Sequence, residues 1–270
     1  MTAILVAAGL FAAACLYLVF PSRPREETAA RFRGRNYAHR GLYERDQSVP
    51  ENSLSAFRRA AEAGYGIELD LQLSRSGEVV VVHDDTLERV CGVSGGTLDY
   101  ETGELRDFPL CGTDERIPLF SDVLGVMDSR APMIVEFKTG PKNALLCEKA
   151  AALLDGYAGP YCIESFDPRI LLWFRRNRPD ILRGQLACSR KEYGKKTNPL
   201  FAFLASRCFM NFLSRPNFIA YQIGKKPLPV RLAERLGAVP VCWTSHGPEN
   251  EAKNDMVIFE FYRPETYFRR

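Results

Sequence analysis

Residues 66–82 read GIELDLQLSRSGEVVVV, and the fold of the whole chain turns on them. In the first six, 66–71, apolar Ile67, Leu69 and Leu71 alternate with Glu68 and Asp70. Residues two apart on a strand share a face, so the two carboxylates point one way and the leucines into the opposite layer. The second apolar run, 79–82, follows after 72–77 and a single glutamate. A crossover to a parallel neighbour needs a dozen or more residues, so this pair reads as a hairpin.

Outward from the hairpin, short β-type runs at 37–38, 133–137, 161–164, 181–187, 218–221, 239–243 and 256–259 alternate with helical stretches. One such stretch starts at Asn52 or Ser53 as cap, carries Leu54, Phe57, Ala60 and Ala61 on one face and stops at Gly64. Strand–helix alternation argues for a parallel α/β fold. With the hairpin counted once, eight strand positions remain over roughly 235 residues from Asn36 onward. That is close to the roughly 250 residues of a (β/α)8 barrel. The reading is therefore a TIM-type (β/α)8 barrel domain over 36–270 with one extra hairpin strand.

Ahead of the barrel, residues 3–20 form an uncharged apolar run, which reads as an N-terminal transmembrane helix over 1–20. Residues 21–35, rich in Pro, Arg and Glu, read as a juxtamembrane linker. Arg23, Arg25, Arg31, Arg33 and Arg35 directly after the run would hold that flank, and the body of the protein with it, on the cytoplasmic side of a membrane. The 36 basic and 33 acidic residues give a net charge of +3, no basis for a nucleic-acid partner. The eight cysteines show no CxxC spacing, which fits reduced thiols rather than a disulfide framework or a zinc site.

Rare polar groups fall at the C-terminal ends of the strand runs: His39-Arg40-Gly41, Glu68-Leu69-Asp70, His83-Asp84 and Glu136-Phe137-Lys138. In a barrel those ends build one mouth. Glu68, Asp70 and Glu136 together would make an oxygen-rich site suited to a hard divalent cation, Mg2+ or Ca2+. His39 and His83 have the ordinary imidazole pKa suited to exchanging protons with a nucleophile and a leaving group. Arg40 and Lys138 would neutralise a phosphate. Asp84 and Asp85 read as turn caps, and Glu51 and Asn52 as helix caps, with Asn52 also able to order the site from behind.

In order, His-Arg-Gly, Pro50-Glu51-Asn52, Glu-x-Asp, His-Asp, Glu-Phe-Lys, Ser165-Phe166 and Trp243-Thr244 resemble the pattern of the glycerophosphodiester phosphodiesterase family over residues 37–244. The resemblance implies a barrel, a divalent metal on Glu68, Asp70 and Glu136, acid/base histidines at His39 and His83, and phosphate contacts from Arg40 and Lys138. It also implies hydrolysis of glycerophosphodiesters to glycerol phosphate and an alcohol. Two departures stand out: Ser245-His246 after Trp-Thr, where the family has an apolar residue and Asn, and Phe259-Glu260 where it has Thr-Asp. Neither is expected to touch the acid/base or metal set; both bear on substrate choice.

Competing readings are a phospholipase acting on lysophospholipid or phosphoinositide, and a non-catalytic membrane-anchored barrel scaffold. The apolar segment 190–215 reads as an outer barrel helix, with a lipid-surface contact as its alternative.

Overall fold

A computed structural model describes residues 2–194 and 197–269. Its nine strands are β1 (Arg35–Ala38), β2 (Gly66–Leu73), β3 (Val79–Val81), β4 (Met133–Phe137), β5 (Tyr161–Ser165), β6 (Arg183–Ala187), β7 (Phe218–Gln222), β8 (Val239–Ser245) and β9 (Met256–Phe259). Eight run parallel around a closed ring, β1-β2-β4-β5-β6-β7-β8-β9, which returns to β1. β3 pairs antiparallel with β2, Leu71 opposite Val81, so the expected hairpin hangs off a complete barrel.

Strand alternation sorts the core into two layers. Tyr37, Ile134, Phe218, Ala220, Val241 and Ile258 form one cluster that fills the barrel interior. Leu69, Leu71, Val135 and Phe137 have the opposite parity and pack against Phe57, Ala60, Val123 and Phe174 from the surrounding helices. Each such buried Leu or Phe contributes about 2–3 kcal/mol of transfer free energy. The helix Leu54–Glu62 shows the local logic: Ser53 caps it by accepting from the Ala56 N–H, and Phe57, Ala60 and Ala61 are its buried stripe.

Two expectations for the N-terminal region are corrected. Residues 21–35 do not behave as a linker, because Ser22 N–H donates to Pro216 O, Glu26–Ala30 is helical and Phe32 joins the interior cluster. Phe32 sits beside Tyr37, whose hydroxyl donates to the Phe32 carbonyl at 2.8 Å. The apolar run is helical over Thr2–Val19, but among the described residues no helix is long and apolar enough to cross a membrane. Its 18 residues span about 27 Å against a hydrocarbon core of about 30 Å. The last turn is also taken up by the barrel: Val19 is buried beside Ala187, Ile219 and Tyr221, and Arg215 donates to the carbonyls of Tyr17 and Phe20.

The 190–215 segment contains two outer helices, Pro199–Ser206 and Asn211–Ser214, the second packed against the helix Pro168–Asn177. Leu200 and Phe201 on the first remain exposed.

Candidate active site

Register brings the carboxylates together. Asp70 on β2 lies opposite Glu136 on β4, and Glu136 lies opposite Glu164 on β5, so three adjacent parallel strands each place an acid at one level of the interior. Glu68 lies one inward-facing position below Asp70. Oxygen atoms of Glu68, Asp70 and Glu136 all fall within 4.8 Å of one another, and all three residues are buried. Two oxygens bound to one cation at about 2.3–2.6 Å can be separated by no more than about 5 Å, so this donor set fits a hard divalent ion. The Asp70 Oδ1 atom is buried and makes no hydrogen bond, although the Lys138 ammonium is ion-paired with it at 3.4 Å, so its lone pairs are available to a cation.

The same three carboxylates differ sharply in charge preference. Burial, then the charges of Asp70, Glu136 and Glu164, push Glu68 well above the usual carboxylate range. Burial also raises Glu136, although Lys138 opposes it. Burial would raise Asp70 too, but the fields of Lys138, His83 and Arg40 and a hydrogen bond from Asn52 outweigh it and hold that carboxyl far down. The Lys138 ammonium lies 2.9 Å from Glu136 Oε1 and 3.4 Å from Asp70 Oδ1, the protein's own positive charge in the acidic site.

The strand ends supply the rest. After β1 the chain turns sharply: Arg40 has φ +53° and Gly41 φ +82°. A Cβ on Gly41 would lie 2.9 Å from Ala56, so only glycine lets the turn sit on the helix Leu54–Glu62. The turn aims the Arg40 N–H at Glu68 Oε2, 3.0 Å away, and its guanidinium at Glu51 Oε1, 2.6 Å away, with Nε 3.6 Å from Asp70. His39 Nε2 lies 3.9 Å from Glu68 Oε2.

All seven residues expected at the site belong to one mouth. His39, Arg40, Glu68, Asp70, Glu136 and Lys138 are joined by the contacts above, and the field of His83 reaches Asp70 and Glu136.

Sequence reading missed the residues that orient them. His39 Nδ1 lies 2.9 Å from Glu260 Oε2, which also accepts from the Tyr43 hydroxyl at 2.8 Å. The Phe259-Glu260 departure was expected to leave the acid/base set untouched; instead Glu260, directly after β9, is the carboxylate behind His39. Barrel closure brings β9 beside β1, a proximity that 221 residues of separation conceal. The Glu260 carboxyl stays low because the His39 and Tyr43 hydrogen bonds and the His39 charge outweigh its burial. Burial is the largest influence on His39 and lowers it below 6.5, with Glu260 pulling the other way.

Asp84, expected only as a turn cap, hydrogen-bonds His83 Nδ1 at 2.7 Å and also receives Arg89 at 2.6 Å. Arg89 donates as well to both Glu51 oxygens, at 2.8 and 2.7 Å. One guanidinium thus links the carboxylate that holds Arg40 to the carboxylate that holds His83. Of the two cap candidates, Ser53 caps the helix, while Asn52 donates to Asp70 Oδ2 at 2.8 Å. His246 stacks on Phe261 at the rim.

Comparison with known proteins gives a consistent result. The sequence model of the glycerophosphoryl diester phosphodiesterase family matches residues 39–261. A glycerophosphodiester phosphodiesterase of Caldanaerobacter subterraneus is 36% identical over 111 residues, 38% of this chain and 44% of that protein. YhdW of Bacillus subtilis, provisionally named for the same activity, is 26% identical over 226 residues, 80% of this chain and 88% of its own length. In fold, the chain is similar to an Oleispira antarctica phosphodiesterase solved with sn-glycerol-3-phosphate as product: TM-score 0.68, 18% identity, 86% of this chain and 94% of that one.

Proposed function

This chain belongs to the glycerophosphoryl diester phosphodiesterase family, and on that premise we propose that it hydrolyses glycerophosphodiesters to glycerol phosphate and an alcohol. The observation that carries the reading is the three-carboxylate cluster with His39, Arg40 and Lys138 in direct contact with it. A divalent cation held by Glu68, Asp70 and Glu136 would supply Lewis-acid polarisation of the phosphoryl group.

The chain's own residues account for the remainder. Arg40 and Lys138, both ionised and both set among carboxylates, bind the non-bridging phosphate oxygens and stabilise charge that builds on them. Ionised Glu260 accepts the Nδ1 proton of His39, which leaves Nε2 with a free lone pair. His39, kept neutral by burial, takes the proton of the attacking hydroxyl or water. His83, paired with ionised Asp84, gives a proton to the departing alcohol.

The test is release of alcohol from glycerophosphocholine, glycerophosphoethanolamine and glycerophosphoglycerol, with and without chelator. Activity that chelator abolishes, and that falls about 10²-fold or more in both His39→Ala and His83→Ala, supports the reading. Near-full activity in both variants refutes the acid/base roles. No divalent-dependent hydrolysis across the panel favours a barrel that only binds.

A further inference from the structure

The two departures from the family pattern, Ser245-His246 and Phe259-Glu260, meet in space. Strand β8 runs beside β9 with its register broken between Cys242 and Ser245, and pairing resumes with Ser245 opposite Phe259. The Glu260 N–H then donates to the Ser245 carbonyl at 3.0 Å. This places His246 Nε2 3.7 Å from Glu260 Oε1, while Glu260 Oε2 holds His39 Nδ1 at 2.9 Å and the Tyr43 hydroxyl at 2.8 Å. One carboxylate stands between two imidazoles, with one oxygen toward each.

The His246 side chain is 60% exposed, and an exposed charged pair contributes little unless its geometry is held. Here both sides of the residue are held. On the backbone side, the buried Ser245 hydroxyl donates to Gly247 O at 2.7 Å and accepts from Asn250 Nδ2 at 3.0 Å, which closes the loop that carries His246. On the ring side, His246 lies parallel to Phe261, with 6° between the planes and 6.3 Å between centroids. Phe261 has φ +61°, a conformation that a bulky residue keeps only where its surroundings fix it. Its ring meets the Tyr43 ring edge-on at 5.2 Å and carries the Arg45 guanidinium at 4.5 Å. Phe261 therefore packs against both the phenol that donates to Glu260 Oε2 and the imidazole that faces Oε1.

A glutamate has one more rotatable bond than the aspartate of the family pattern, so its carboxylate has more freedom to lose when it is fixed on His39. We propose that His246 is a positioning residue for His39 that acts through Glu260, and that the two departures are one compensated exchange, in which an imidazole steadies the second oxygen of a longer acid; the inference rests on the hydrolytic function proposed above and deepens it. With its proton on Nε2, His246 donates toward Oε1, and partners on both oxygens set the plane of the carboxylate. His39 Nδ1 keeps its acceptor, and His39 Nε2 stays directed at the nucleophile. The effect of His246 on the reaction passes through Glu260 alone.

The experiment is a mutant cycle on kcat and KM for glycerophosphocholine, in the full chain with a divalent cation. His246→Ala is expected to lower kcat about three- to fivefold with KM within about twofold, the range of a partly exposed charged pair. In a Glu260→Gln background the same substitution should change kcat by less than about 1.5-fold, because the charge it steadies is gone. His246→Asn and Glu260→Asp should each lower kcat when made alone, and the two together, which restore the family pair, should exceed either single variant at least about threefold.

Equal effects of His246→Ala with and without the Glu260 charge overturn the proposal, as does a double variant no better than the singles. A change confined to KM also overturns it, and makes His246 a contact of the substrate instead. Each of these results leaves the hydrolytic function standing. Failure of the unaltered protein to hydrolyse glycerophosphocholine, glycerophosphoethanolamine or glycerophosphoglycerol removes that function and the positioning role together.

Discussion

Replacement of Glu260 by glutamine isolates one step of the proposed mechanism. Glu260 Oε2 accepts from His39 Nδ1 at 2.9 Å and from the Tyr43 hydroxyl at 2.8 Å, and is ionised because these bonds outweigh its burial. Glutamine keeps the size and one acceptor but removes the charge that stabilises His39 as it gains a proton in the transition state. A hydrogen bond to a charged partner contributes about 1.5–3 kcal/mol, which at an RT of about 0.59 kcal/mol corresponds to a fall in kcat/KM of about 10- to 150-fold. The direction of the pH effect follows from the balance at His39. Burial lowers its pKa, while the Glu260 hydrogen bond and charge raise it. Without the carboxylate the pKa drops further, so the acidic limb of kcat/KM against pH moves to lower pH while the plateau falls. Steady-state hydrolysis of glycerophosphocholine between about pH 4 and 9 measures both. A plateau within about threefold of the parent, with the limb unmoved, would show that Glu260 does not support a reacting His39.

Four further outcomes are expected. Glu68 and Glu136 have raised pKa values, so in the folded protein protons compete with a metal for them; Mg2+ or Ca2+ affinity by calorimetry should rise with pH from the ordinary carboxylate range upward, and a pH-independent affinity would place the metal elsewhere. In the cation-free protein the same shifts favour folding at low pH and are lost as pH rises, whereas Asp70 and Glu260, both depressed, stabilise only above the unfolded carboxylate range and lose that contribution on acidification. Arg89→Ala, which frees Glu51 and Asp84 together, should lower kcat about 10- to 100-fold with a smaller change in KM, and Arg89→Lys should restore part of it; unaltered kcat in the alanine variant would reduce the bridge to a surface contact. Gly41→Ala, at φ +82° and against Ala56, should cost about 2–3 kcal/mol in urea unfolding, a value near zero being incompatible with the turn described.

Much of the barrel was legible from residue 66 onward because each strand carries its own period-2 signal and each turn its own punctuation. The short gap before residue 79 announced the hairpin, and the strand-end positions of His39, Glu68, Asp70, Glu136 and Lys138 pointed to a single mouth, since parallel strands in a barrel all end on one side; His83 comes to it from the antiparallel β3, which returns toward Asp70. These are local properties, carried by residues within a few positions of one another. The N-terminal region was misread because composition alone does not reveal docking: Phe32 and Val19 look like linker and membrane residues until the barrel floor and the outer helices provide partners for them.

What only the tertiary structure decided is which groups stand behind those proposed to react. Glu260 reaches His39 because β9 closes against β1, Glu164 joins the acidic level because β5 follows β4 in register, and Arg89 spans Glu51 and Asp84 because the loops after β1 and β3 meet over the mouth. The residues proposed to do chemistry are legible from their type and their place on a strand; the residues that contact them from behind are ordinary acids and arginines. Their significance lies in distances across ring closure, which depend on how all eight strands add up and on no local stretch of sequence.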